Sequence, residues 1–122
     1  MTLLLDTHVW FWSLQSPDEL GKRCRTAVES PENELAVATI STLEQGQLIS
    51  VNRIVFKGTL ESWVRRGTAA LGLKSVELSH PPAILAYDLP GTFHKDPADR
   101  MLLATAIHYD DPLVTADERL IA

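Results

Sequence analysis

The chain has 122 residues, a length typical of one domain that buries a substantial core. Hydrophobic residues make up 45% and charged residues 22%, which excludes a disordered chain, a collagen-like fibre and a coiled coil. The 11 Lys and Arg residues against 16 Asp and Glu residues give a net charge of −5. That sum alone argues against binding nucleic acid through a basic face.

Short apolar strands alternate with helices along the chain. Strands are predicted at 2–5, 34–39, 73–78 and 113–114. Helices are predicted at 8–14, 20–29, 41–50, 58–71, 81–89 and 99–109, and a last helix begins near the C-terminus. This alternation is typical of a mainly parallel sheet flanked by helices on both faces. The sequence predicts a single α/β domain over residues 1–122, with four or five strands.

The cysteine content and the N-terminus bear on the cell compartment. A lone cysteine, Cys24, allows no intramolecular disulfide and no thiolate zinc cluster, and its spacing predicts a buried core position. The N-terminal apolar run ends at Asp6 without a preceding basic segment, so neither a signal peptide nor a membrane span is expected. We therefore expect a cytoplasmic protein with no membrane partner.

Acidic residues stand at corresponding points of the predicted elements. Asp6 ends the first strand, Glu44 lies in the first turn of the helix after the second, Asp99 opens the apolar helix and Asp117 follows the fourth strand. The ends of parallel strands and the starts of the following helices meet at one edge of the sheet, where ligands bind. Carboxylates gathered there repel one another unless divalent cations lie between them. Oxygen ligands favour Mg²⁺ or Mn²⁺ over zinc.

Each acid also has a purely structural interpretation as a helix cap. The Ser41-x-x-Glu44 spacing matches a capping box, Asp96 before Pro97 matches an N-cap, and Asp117 could cap the last helix. Capping does not require a carboxylate, however, because Ser, Thr and Asn serve equally well. The joint pattern of the acids therefore favours a metal site.

Four segments resemble one protein family, in the family's order. They are LLLDTHVWFW at 3–12, STLEQGQLIS at 41–50, FHKDPADRMLLATAIHYD at 93–110 and LVTADERL at 113–120. They resemble the PIN-domain ribonucleases, and within them the VapC-like toxins of bacterial VapB–VapC toxin–antitoxin pairs. The resemblance places Asp6, Glu44, Asp99 and Asp117 on the family's acidic quartet. It leaves Asp96 as an N-cap or an outer acid of the site, and Thr115 as a hydrogen-bonding support.

The resemblance implies an activity and a set of partners. It implies a PIN-like fold and endonucleolytic cleavage of RNA that depends on Mg²⁺ or Mn²⁺, with the acids as catalytic and metal-binding residues. The implied partners are an RNA substrate, a cognate VapB-like antitoxin and a second copy of the chain in a homodimer. Two features depart from the family. The chain stops soon after Asp117, where relatives usually continue through a further strand, and Leu43 replaces a tryptophan that often precedes the acid.

Basic and aromatic residues are candidates for contacts with these partners. Lys95 and Arg100 flank the third acid, so we expect them to contact the RNA backbone. The neighbours Trp10, Phe11 and Trp12 cannot all point inward from one short helix. Core packing is the first expectation for each, and an exposed remainder would suit a dimer contact or an antitoxin groove.

Two other functions are compatible with an acidic α/β domain. One is a PIN-like binding module without catalytic activity, against which the intact set of four acids argues. The other is a signalling receiver domain, which needs adjacent acids after its first strand and a phosphate-accepting Asp at the end of its third. Here Asp6 stands alone, and the third predicted strand ends in Ser79 and His80.

Overall fold

In the part of the chain that the structure describes, four parallel strands form the sheet. The structure is a computed structural model that describes residues 1–55, 57–89 and 96–115. The strands are β1 (Thr2–Leu5), β2 (Glu34–Ala38), β3 (Lys74–Val76) and β4 (Leu113–Val114). They lie in the order β3-β2-β1-β4, and every neighbouring pair is parallel. The predicted parallel α/β architecture is confirmed, and the third strand is shorter than expected.

Six α-helices connect the strands within the described residues. They are α1 (Thr7–Gln15), α2 (Lys22–Glu29), α3 (Thr39–Ser50), α4 (Leu60–Leu71), α5 (His80–Leu85) and α6 (Pro97–Tyr109). In this part of the chain no helix is long and apolar enough to cross a membrane.

The sheet buries apolar side chains on both faces. Leu3 and Leu5 of β1 pack on one face against side chains of α1, α2 and α4. Leu4, which points to the opposite face, packs with Leu102 and Ala106 of α6. This division follows from the alternation of side chains along a strand. The prediction of helices on both faces is confirmed.

The strand order distinguishes between the functions considered above. A receiver domain has the order 2-1-3-4-5, in which β3 lies beside β1. Here β1 lies between β2 and β4, and β3 pairs with β2 at the edge of the described sheet. The receiver interpretation is therefore wrong. In the observed order the connections run in opposite directions from β1, which places the ligand crevice at the carboxyl ends of β1 and β4.

Aromatic side chains of α1 and α4 pack in the core. Trp10 and Trp63 are buried and meet edge to face at 4.9 Å between ring centroids. Phe11 stacks on Trp63 at 5.9 Å, and Trp12 is half-buried against the same cluster. Core packing, the first expectation for these aromatics, is confirmed. Cys24 is only half-buried, because α2 lies at the margin of this cluster.

Gly67 is expected to be required where α4 packs against α1. A Cβ atom at this position would lie 2.9 Å from Leu14 Cδ1 and 3.3 Å from Trp10 Nε1. We expect Gly67→Ala to lower the free energy of unfolding by about 1–3 kcal/mol through overpacking, measured by urea denaturation. The control is Gly46→Ala in α3, where the nearest atom is at an ordinary 3.5 Å. That variant should be neutral or more stable because alanine favours helix, and equal effects at both positions would contradict the account.

Candidate functional site

Asp6 is held at the point where β1 passes into α1. Its Oδ1 atom accepts a hydrogen bond from the Thr7 amide at 2.6 Å, which makes Asp6 the N-cap of α1. Its Oδ2 atom accepts a hydrogen bond from the Thr115 hydroxyl at 2.8 Å, just beyond the end of β4. The side chain is only 5% exposed. The expected support from Thr115 is confirmed, and it joins the carboxyl ends of β1 and β4.

The Thr115 hydroxyl should affect function through Asp6. We expect Thr115→Val to reduce any metal-dependent activity by about 10- to 100-fold, the range seen when a ligand loses the partner that orients it. Thr115→Ser keeps the hydroxyl and should recover most of the loss. Comparison of the two variants in the same cleavage assay checks this expectation, and equal activities would show that the hydrogen bond is unimportant.

The first turn of α6 carries two acids with different surroundings. Asp96 is the N-cap and accepts a hydrogen bond from the Ala98 amide at 3.0 Å, and Pro97 follows it. The predicted N-cap is therefore confirmed, and its carboxylate is exposed. Asp99, three residues further in the same turn, is only 8% exposed.

Glu44 enters the site from α3, and its helix starts earlier than predicted. The expected capping box at Ser41 is wrong, because β2 runs directly into α3 and Ala38 is the N-cap without a side-chain cap. Ser41 is buried inside the helix, and Glu44 lies in the second turn instead of the first. The capping motif gave a wrong prediction here because a serine three residues before a glutamate can also lie inside a helix, as Ser41 does.

Three carboxylates meet where α3 faces α6. Glu44, Asp96 and Asp99 each offer an oxygen atom, and these atoms lie within 4.8 Å of one another. A cleft of about 460 Å³ opens beside Glu44 and Asp96 and is also lined by Gln47 and Met101. The structure thus brings two of the predicted acids together and adds Asp96, whose carboxylate faces the group while it caps α6.

The protonation of Glu44 reflects its surroundings. Burial is the largest influence and raises the pKa of its carboxyl above the ordinary value of 4.5. The charges of Asp6 and Asp96 also raise this pKa, whereas the Thr7 hydroxyl and His8 lower it. Although Thr7 lies close enough to have this effect, neither its Oγ1 atom nor Glu44 Oε1 makes a hydrogen bond of ordinary geometry within the described residues. The influence of Asp6 links it electrostatically to Glu44.

The donor set fits a divalent cation. The three groups that converge among the described residues are carboxylates, the ligands that Mg²⁺ and Mn²⁺ prefer. Glu44 Oε1 is buried without a hydrogen-bond partner among the described residues, which is costly for an acceptor in the absence of a compensating charge. Glu44, Asp96 and Asp99 are therefore suited to hold such an ion, and Asp6 contributes negative charge beside them.

Arg100 is the cation nearest to Asp99 in sequence, and α5 holds it in place. Its Nη1 atom donates a hydrogen bond to the Ala86 carbonyl at 3.2 Å, and the guanidinium lies 5.0 Å from the ring centroid of Tyr87. The side chain is half-buried. Of the remaining predicted residues, Asp117 and Lys95 lie outside the described residues.

Comparison with known proteins adds a family relationship to this geometry. Residues 3–122 match the family described as the PIN domain, a range that includes all four predicted acids. The chain is 39% identical over 119 residues to Ribonuclease VapC22 of Mycobacterium tuberculosis (strain ATCC 25618 / H37Rv). The aligned region covers 98% of this chain and 89% of the relative. No solved structure gives a significant match.

Proposed function

We propose that this chain, which belongs to the PIN-domain family, is a metal-dependent endoribonuclease and the toxin of a toxin–antitoxin pair. The observation that carries the proposal is the convergence of three carboxylate oxygens from α3 and α6 within 4.8 Å of one another. It lies at the sheet edge where ligands of parallel α/β folds bind. The similarity to a ribonuclease named VapC22 supports RNA as the substrate.

The proposed catalytic and metal-binding residues are Asp6, Glu44, Asp99 and Asp117. To these the geometry adds Asp96, through its place in the carboxylate group. The chemistry that Mg²⁺ or Mn²⁺ supplies when bound is activation of an attacking water and stabilisation of the charge that develops on the leaving oxygen. No covalent intermediate on a protein side chain is required, and no cysteine or serine nucleophile enters the proposal.

The chain's own residues would fix the reacting groups before the substrate arrives. Asp6 is preorganised, because its two oxygens accept hydrogen bonds from the Thr7 amide and the Thr115 hydroxyl. Within the cluster of three carboxylates, Asp99 is nearly buried, whereas Asp96 is exposed to solvent. Arg100, anchored on Ala86 and Tyr87, places a fixed positive charge one residue from Asp99, where it would attract the RNA backbone.

The proposal also includes partners and a compartment. The RNA substrate and a VapB-like antitoxin follow from the family relationship, and we propose a homodimer as the assembled state. An antitoxin segment that inserts a basic side chain among the acids would inhibit by displacing the cation. We further propose a cytoplasmic location, where RNA and the antitoxin are both synthesised.

A cleavage assay tests this function directly. Purified protein, first treated with a chelator, would be incubated with tRNA, rRNA and mRNA in the presence and absence of Mn²⁺, and the new RNA ends would be mapped. We expect discrete cuts only when Mn²⁺ is added. Cleavage that persists under chelation would contradict metal dependence. Divalent-ion binding without cleavage of any RNA would favour the inactive binding module instead.

A further inference from the structure

Buried polar atoms lie on α3 behind the acidic site. Ser41 and Gln45 are each 0% exposed. The Ser41 hydroxyl and both polar atoms of the Gln45 amide have no hydrogen-bond partner among the described residues. The same holds for the hydroxyl of Thr7, the first residue of α1, which is also 0% exposed. These atoms take no part in the function proposed above.

Helix geometry indicates where the Ser41 and Gln45 side chains lie. Ile40 packs into the core cluster that contains α6 side chains, and each further residue is rotated by about 100° around the helix axis. Glu44 is thereby about 40° from Ile40, on the side of α6, whereas Ser41 and Gln45 are about 100° and 140° away. Since α3 packs against both α1 and α6, this rotation turns the two polar side chains away from α6 and toward α1.

Thr7 and Glu44 connect this polar group to the acidic site. Thr7 directly follows Asp6 at the start of α1, and α1 packs against α3. Glu44 itself directly precedes Gln45 and follows Ser41 by three residues. The unpaired atoms of Thr7, Ser41 and Gln45 therefore belong to one buried region between α1 and α3, adjacent to Glu44.

Leaving these atoms unpaired would destabilise the folded state. A buried polar group without a partner loses the hydrogen bonds that it makes to water in the unfolded chain, and the net stability of a domain is small. Folded proteins resolve this with buried water, on the order of one molecule per 27 residues, each making about three hydrogen bonds. The region offers donors and acceptors in the mixture that water needs, since hydroxyls and amides do both and the carboxylate accepts.

We propose that Thr7, Ser41 and Gln45 enclose ordered water between α1 and α3, and that this hydrated network positions the Glu44 carboxylate. The positioning role rests on the proposed function, because it concerns how Glu44 meets a divalent cation. The three residues are positioning residues and do not touch the substrate. Their hydrogen bonds would reach the Glu44 side chain from the side of α1, fix its rotamer and hold its carboxylate toward Asp96 and Asp99.

The test compares an apolar replacement with a matched surface control. Gln45→Met preserves the length of the side chain and removes its polar atoms, and Gln15→Met makes the same change at an exposed position at the end of α1. Calorimetric titration with Mn²⁺ should show a dissociation constant raised about 10- to 100-fold in Gln45→Met and unchanged in Gln15→Met. The free energy of unfolding of metal-free Gln45→Met should fall, because the waters and side chains that Gln45 contacts each lose a hydrogen-bond partner at a buried position.

Wild-type Mn²⁺ affinity in Gln45→Met would overturn the positioning role. Should that variant fail to fold, Ser41→Ala, which removes one atom, provides the same comparison. A crystal structure of the metal-free wild type tests the water separately, and we expect water within hydrogen-bonding distance of Ser41 and Gln45. Direct side-chain contacts with no water between α1 and α3 would overturn the network. Lack of Mn²⁺ binding by the wild type would instead overturn the proposed function, and the crystallographic result would still stand on its own.

Discussion

Replacement of Asp99 by asparagine is expected to reduce RNA cleavage by at least about 100-fold, the scale at which a catalytic group contributes. Asn preserves the size of the side chain and removes its charge, so the nearly buried position should tolerate the change. The cluster of Glu44, Asp96 and Asp99 would lose one of its three negative charges. The measurement is the initial rate of cleavage with Mn²⁺ for wild type and Asp99→Asn at matched concentrations.

An exposed acid outside the three-carboxylate group provides the control. Asp88 lies in the turn after α5 and is exposed, so Asp88→Asn makes the same chemical change outside the site and should cleave at the wild-type rate. Circular dichroism would show that both variants are folded. Wild-type cleavage by Asp99→Asn would contradict a catalytic role for the acid, and equal loss in both variants would point to a general effect of charge.

Glu44→Gln is expected to make the metal-free protein more stable while abolishing metal binding and cleavage. Burial and the neighbouring charges of Asp6 and Asp96 disfavour the ionised carboxylate, so a neutral amide of the same shape relieves an unfavourable charge. The same change removes a ligand, and cleavage should fall at least about 100-fold. A rise in Tm together with a loss of activity distinguishes a functional acid from one that stabilises the fold.

The pH dependence of stability follows from the direction of the Glu44 pKa. The pKa is raised in the folded state above the ordinary value of 4.5, so the folded protein binds this proton more tightly than the unfolded chain does. The resulting stabilisation is fully present below pH 4.5 and is lost as the pH rises through the folded-state pKa. Metal-free Glu44→Gln should not lose this stability as the pH rises. The Tm of the variant should therefore exceed that of the metal-free wild type by an amount that grows with pH above 4.5.

The control for this comparison is Glu77→Gln, at an exposed position after β3. Thermal unfolding of wild type and both variants, with and without Mn²⁺, would be followed at several pH values. We expect Mn²⁺ to raise the Tm of the wild type and of Glu77→Gln and to leave Glu44→Gln unchanged. A lower Tm for metal-free Glu44→Gln would show that the carboxylate stabilises the fold, contrary to the account.

The strands and the convergence of acids could be predicted from sequence because both depend on simple periodic rules. Apolar runs such as Leu3 to Leu5 are typical of a strand covered on both faces, and the structure confirms a strand here. Parallel connectivity then places strand ends and helix starts at one edge, which is why Glu44 and Asp99 could be expected to meet. The hydrogen bond between Asp6 and Thr115 follows from the same adjacency of β1 and β4.

Details that depend on tertiary packing could not be predicted in this way. The motif Ser41-x-x-Glu44 has the composition of a helix cap, and only the direct passage of β2 into α3 shows that Ser41 is buried. Gln45 gave no signal either, because glutamine is ordinarily exposed on a helix. Whether Asp96 faces Glu44 depends on how α6 packs against α3, which no local pattern encodes.

We propose that these acids converge to bind a divalent cation. Calorimetric titration of chelator-treated protein with Mn²⁺ measures this without any assumption about the RNA substrate. We expect saturable binding by the wild type and its loss in Asp99→Asn, while Asp88→Asn binds like the wild type. Absence of binding by the folded wild type, or equal binding by all three proteins, would contradict the account.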